Sequence, residues 1–230
     1  MEEISEAEAA ARLAQLRQNV DQALLTCGRP KGTVKILAVS KTFPVSQIEI
    51  FRRCGQLVFG ENYVREARDK IPNLPSDLQW HFIGHLQVNK AKHVASLFSA
   101  LHSLDSLELA AELDKRLKAL TKIMPVFIQV NVSGEESKSG LRPEGLPSLL
   151  EGLAQFSNLS PQGLMTMAPF DSDPERGRPY YKRLRELRDS AAPWLTQLSM
   201  GMSADYRQAI YEGATIVRVG TALFGPRAWP

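Results

Sequence analysis

Eight short runs of apolar and β-branched residues recur along the chain: VKILAVS (34–40), LVFG (57–60), WHFIG (80–84), FSALHSL (98–104), MPVFIQVN (124–131), LSPQGLMTM (159–167), QLSMGM (197–202) and TIVRVG (215–220). They have strand length, and they are continuous rather than alternating, the mark of parallel strands buried on both faces. Amphipathic stretches lie between them, clearest at Ser106–Leu120, Arg142–Gln155 and Pro174–Ser190. An earlier one, from Ser5 to about Cys27, spaces Ala11, Leu13, Leu16, Val20, Ala23 and Leu24 as one helical face, with Gly28 and Pro30 as its stop. Eight strand-helix units behind an extra N-terminal helix predict an α/β fold, a single (β/α)8 TIM barrel. The rival is a doubly wound open sheet, but no Gly-x-Gly-x-x-Gly follows the first strand. Neither EESKSG nor PFDSDPERGRP has the character of a linker, so residues 1–230 are expected to form one domain.

Composition narrows the function classes. At 230 residues the chain is close to the typical ~250 of such barrels. Its 43% hydrophobic and 23% charged residues exclude a disordered or fibrous chain. Cys27 and Cys54 stand alone, forming neither a disulfide framework nor a metal motif. A net charge of +3 does not suggest nucleic acid. The acidic start MEEISEAEAA is not a signal peptide, and no apolar run reaches the ~18 residues of a membrane span. A cytoplasmic protein with no membrane or nucleic-acid partner is expected.

In a barrel of this kind ligands bind where the strands end, so the residues closing each run carry the chemistry. The first run closes on Ser40 and Lys41, the second on Gly60, Glu61 and Asn62, and the third on Gly84 and His85. The sixth closes on Met165, Thr166 and Met167, the seventh on Gly201, Met202 and Ser203, and the eighth on Arg218, Gly220 and Thr221. Lys41 is either a terminus snorkelling to water or an amine that attacks a carbonyl to form a Schiff base. Ser203, Gly220 and Thr221 sit where barrels hold phosphate, although serine caps and glycine turns are also ordinary structural devices. Arg218 should share a strand face with Ile216 and Gly220; taken alone, it is expected to pair with a carboxylate or reach solvent. Glu61 and Asn62 would cap the following helix, or Asn62 would bond a ligand. His81 and His85 lack acidic partners and make no zinc site.

Taken together, LAVSKTFP, FGENYVREA, WHFIGHLQVNK, LHSLDSLELA, FIQVNVSGEESKSG, GLMTMAP and LSMGMSADYRQAI...GATIVRVGTALFG resemble the pyridoxal phosphate homeostasis proteins over nearly the whole chain. The resemblance implies a barrel like the N-terminal domain of alanine racemase, with pyridoxal 5′-phosphate held as an aldimine on Lys41. It implies that Ser203, Gly220 and Thr221 hold the phosphate, that Arg218 faces the ring nitrogen, and that Asn62 and Met165 line the cofactor. Lys138 is the second candidate anchor. Because arginine cannot supply the ring proton that makes the cofactor a strong electron sink, little or no turnover is expected. No sequence here matches the racemase's second domain, which supplies a tyrosine opposite the lysine. The implied role is intracellular vitamin B6 and amino-acid homeostasis by a monomer serving apo-enzymes that use the cofactor. The alternative is a racemase or another Schiff-base enzyme.

Overall fold

The structure, a computed structural model, describes residues 4–226. All eight runs form strands. After helix α1 (Glu6–Thr26) come β1 (Lys35–Val39), α2 (Val45–Arg53), β2 (Val58–Glu61), α3 (Val64–Lys70), β3 (Gln79–Phe82), α4 (Ala91–Leu97), β4 (Ala100–Leu104) and α5 (Leu107–Ala119). The second half contains β5 (Met124–Gln129), α6 (Leu146–Leu153), β6 (Leu159–Met165), α7 (Arg178–Ala191), β7 (Gln197–Met202), α8 (Tyr206–Tyr211), β8 (Ile216–Val219) and α9 (Thr221–Phe224). The strands pair in chain order, all parallel, and β8 closes on β1. Helices α6 and α7 start later than the sequence pattern suggests. Pro147 and Pro179 occupy their first turns, where the missing N–H costs nothing, and single 3₁₀ turns at Pro143–Gly145 and Pro174–Gly177 fill the difference.

Alternation along the strands sorts side chains into two layers. Outward residues such as Ala38, Phe59, Phe82, Leu101, Ile128, Leu164, Val217 and Val219 pack beneath the helices. Leu37, Val39, Ile83, Phe127, Met165 and Ile216 form an inner apolar cluster. The interior also holds a polar set, His81, His102, Ser199 and Arg218, all buried.

The extra helix α1 starts at Ser5, whose hydroxyl accepts the Glu8 N–H at 3.2 Å. It packs on α2, α8 and α9, across the seam where the first and last units meet. Its buried face uses Ala9, not the expected Ala11, together with Leu13, Leu16, Val20, Ala23 and Leu24. The spacing from residue 9 to 13 to 16 follows the helical stripe, whereas position 11 falls on the opposite side. Arg12 fastens the helix to the last unit by donating to the Leu223 carbonyl at 3.0 Å.

Candidate functional site

Strand ends position every side chain of the barrel mouth. Beyond β1 the chain turns over Ser40–Phe43, closed by the Phe43 N–H donating to the Ser40 carbonyl at 3.1 Å. Lys41 is the second residue of that turn and half-buried. Beyond β2, Asn62 lies against Gly84: a Cβ on Gly84 would come within 2.1 Å of the Asn62 carbonyl oxygen, so only glycine lets the two strand ends approach this closely. Near the end of β7, Gly201 has φ = +92° and a Cβ there would meet Ala209 at 2.5 Å, which admits the tight turn carrying Ser203. Asp205 secures this turn, its carboxylate accepting the Met202 N–H and the Tyr181 hydroxyl at 2.7 Å each. Beside that carboxylate and deep in the protein, the Tyr181 phenol is held protonated, its pKa raised first by burial and then by Asp205.

These ends surround a cavity of about 280 Å³. Lys41 and Val39 enter from β1, Asn62 and Ile83 from β2 and β3, and Met167 and Phe170 from the segment after β6. Met202 closes β7 and Ser203 and Ala204 follow it, and Arg218, Gly220 and Thr221 complete the wall. Six of the seven sequence-predicted residues therefore line one cavity. Met165 does not; it is buried in the inner cluster with Val39 and Ile83, which do reach the cavity, while Met167 takes the wall position. Lys138 is elsewhere, 3.5 Å from Glu135 in the segment between β5 and α6.

Arg218 does what its strand position suggests but not what its charge alone suggests. It points inward with Ile216, yet it neither bonds a carboxylate nor reaches solvent. One guanidinium nitrogen donates to the Ser199 carbonyl (2.7 Å) and hydroxyl (2.9 Å), and the other to the Thr166 carbonyl (2.8 Å). Burial lowers its pKa to about 10, so it stays charged at neutral pH. Carbonyl dipoles replace the carboxylate.

The Ser199 hydroxyl continues into a buried chain that sequence reasoning did not find. It lies 2.8 Å from His102 Nδ1, and His102 Nε2 lies 2.8 Å from His81 Nδ1. Arginine only donates, and His102 Nδ1 is the acceptor within reach of the buried Ser199 proton, which together give the chain a direction. Ser199 accepts from Arg218 and sends its proton to His102 Nδ1; His102 then donates from Nε2 to His81. Both imidazoles are thereby assigned as neutral Nε2–H tautomers. Burial agrees, pushing His81 down to about 4 and His102 well below the usual histidine range. The available signal was a histidine at the centre of the apolar run FSALHSL, since a polar residue in a buried strand needs partners.

Glu61 and Asn62 do not cap α3, whose N-cap residue is Tyr63 and which has no side-chain cap. Glu61 is fully buried and accepts the Ser40 hydroxyl at 2.7 Å and the Lys70 ammonium at 3.1 Å. Burial nevertheless pushes its carboxyl pKa up. Asn62 leaves its Oδ1 buried and without a hydrogen-bond partner. Across the mouth the Ser203 hydroxyl accepts the Gly220 N–H at 3.1 Å and the Ala222 N–H at 3.4 Å, so its own proton is left to donate. No group of three or more His, Cys, Asp and Glu among the described residues could hold a metal, and none of their helices is long and apolar enough to cross a membrane.

Residues 11–228 match the family described as alanine racemase, N-terminal domain. The chain is 44% identical over 226 residues to the pyridoxal phosphate homeostasis protein of Aquifex aeolicus, covering 96% of this chain and 99% of that one. Among solved structures, PipY of Synechococcus elongatus with pyridoxal phosphate bound superposes with a TM-score of 0.80 at 37% identity, covering 94% of this chain and all of PipY. The alanine racemase of Clostridium difficile, at 15% identity and a TM-score of 0.70, shares the fold over 93% of this chain and 60% of its own length.

Proposed function

Because the chain belongs to the pyridoxal phosphate homeostasis protein family, on the alanine racemase N-terminal fold, we propose that it binds pyridoxal 5′-phosphate at the barrel mouth and acts in vitamin B6 and amino-acid homeostasis. The observation that carries this reading is one cavity with the Lys41 amine, the Ser203 hydroxyl beside the Gly220–Thr221 turn, and the Arg218 cation at different points of a largely apolar wall. When bound, the cofactor supplies an aldehyde that condenses with a primary amine and a conjugated ring that can accept electrons.

The residues fit each part of that molecule. Lys41 is the covalent anchor for the aldehyde. The Ser203 hydroxyl, which accepts two backbone N–H groups and keeps its own proton to donate, and the turn at Gly220–Thr221 would hold the phosphate. Val39, Ile83 and Met202 would give the ring an apolar slot, and Met165 packs with Val39 and Ile83 in the inner cluster. The unpartnered Asn62 Oδ1 is an acceptor whose burial a ligand donor would compensate. Arg218 spends three donor contacts on Ser199 and Thr166, and its remaining N–H groups would face the ring nitrogen. A permanent cation there cannot take up or release the ring proton, so the site is suited to holding the cofactor rather than to strong carbanion chemistry.

The rest of the reading is a single domain spanning 1–230, a monomer, a cytoplasmic location and hand-over of the cofactor to apo-enzymes. The continuous core that joins α1 to the barrel supports the single domain; the other three parts rest on the family resemblance. The test is borohydride reduction of protein mixed with pyridoxal phosphate, followed by peptide mass mapping. The adduct is expected on Lys41 and absent from Lys41→Ala; an adduct on Lys138 instead would move the anchor out of this cavity.

A further inference from the structure

The turn that presents Lys41 contains a conformational anomaly. Thr42, its third residue, has φ = +68°, while Lys41 keeps a negative φ, the pattern of a type II turn. That third position favours glycine, and a β-branched residue there is strained. Apolar packing explains only the exit of the turn, where the buried Phe43 ring stacks on Phe224 at 4.8 Å. The outer face opens instead onto a cleft of about 560 Å³, bordered by Thr42, Ser46, Glu66 and Lys70.

What grips the turn from that side is a polar network on α3. Glu66 Oε1 accepts both the Thr42 N–H and the Lys70 ammonium. Lys70 in turn donates to the Ser40 carbonyl at 2.9 Å and to Glu61 at 3.1 Å, and Glu61 holds the Ser40 hydroxyl. The first and third residues of the turn are thus both fastened, on either side of Lys41. Glycine at 42 would remove the strain but also the rigidity, whereas a strained threonine held by neighbours keeps one geometry.

We propose that Glu66 and Lys70 are positioning residues that hold Thr42 in its left-handed conformation and so aim the Lys41 amine into the barrel mouth. This rests on Lys41 as the cofactor anchor, and it adds the device that sets the amine's geometry.

The test is a double-mutant cycle on Glu66→Ala and Thr42→Gly, with Glu66→Gln as the conservative control. The first readout is amide exchange of Phe43, whose N–H closes the turn, in protein free of ligand; the second is pyridoxal phosphate affinity. E66A is expected to speed exchange and weaken affinity, each about tenfold, in the native background, but by less than about threefold in the T42G background. E66Q, which keeps an acceptor for the Thr42 N–H, should stay near wild type in both readouts. Equal E66A effects in the two backgrounds would overturn the proposal, since Glu66 would then act on stability without acting through Thr42. If the exchange data show the predicted coupling while wild-type protein takes up no pyridoxal phosphate, the turn device stands and the anchor reading fails.

Discussion

Acidifying the protein should destabilise it between pH 7 and 5, by an amount set by two buried histidines. His81 is 6% exposed and His102 fully buried. Burial, with the Lys35 charge adding to it, lowers His81 from 6.5 to about 4; burial, then His81, Arg218 and Lys35, holds His102 well below the usual histidine range. In the unfolded chain both titrate near 6.5, so as pH falls the unfolded state gains protons that the folded state refuses. Their contribution is present above pH 6.5 and is lost as pH falls toward the folded value. At pH 5 an unfolded histidine is about 1.5 pH units below its pKa, so His81, still neutral in the fold, accounts for a loss of about 2 kcal/mol, and His102 adds to it in the same direction. Glu61 and Asp105, whose carboxyl pKa values burial raises, act in the opposite sense and persist in a variant lacking both imidazoles. The assay is urea unfolding at pH 7, 6 and 5 for the wild type and for His81→Gln/His102→Gln. The wild type should lose at least about 2 kcal/mol more than the variant across that range. Equal slopes would refute the neutral assignment of the pair, and with it the direction of the hydrogen-bond chain from Arg218.

Two further substitutions probe the mouth itself. Ser203→Ala should weaken pyridoxal phosphate about tenfold or more while leaving unphosphorylated pyridoxal nearly unchanged, because the lost hydroxyl is assigned to the phosphate; competition binding with the two compounds separates these outcomes. Gly84→Ala should destabilise the fold by about 1–3 kcal/mol and weaken the cofactor, since the new methyl meets the Asn62 carbonyl within 2.1 Å; thermal unfolding and affinity should change together.

Much of the site was legible because strand ends in a barrel can be located from the runs alone. Lys41, Asn62, Ser203, Arg218, Gly220 and Thr221 each close a run, and closure of the sheet brings them to one cavity. Met165 and Met167 illustrate the limit. Both lie in LSPQGLMTM and are two residues apart, so alternation cannot separate them; how far the strand rises before the mouth decides that Met165 is interior and Met167 lines the wall. Arg218 shows a second limit: its inward direction followed from period two, but its partners are carbonyls on β7 and after β6, distant in sequence and carrying no charge signal.

The sequence by itself determined the eight-unit barrel, the added helix, the family and the amine at the end of β1, because periodicity, run length and long motifs are local properties of the chain. Tertiary structure alone decided what surrounds that amine. The left-handed Thr42 is invisible in the letters SKTF, and Glu66 and Lys70 read as an ordinary helical pair four residues apart until α3 is laid against the β1 turn. The chain from Arg218 through Ser199 and His102 to His81 joins four strands that meet only when the sheet closes. Its direction follows from arginine's having donors and no acceptor and from the buried Ser199 proton's needing His102 Nδ1 as its acceptor, and that consequence exists only after folding has put the guanidinium and the imidazole within reach of Ser199.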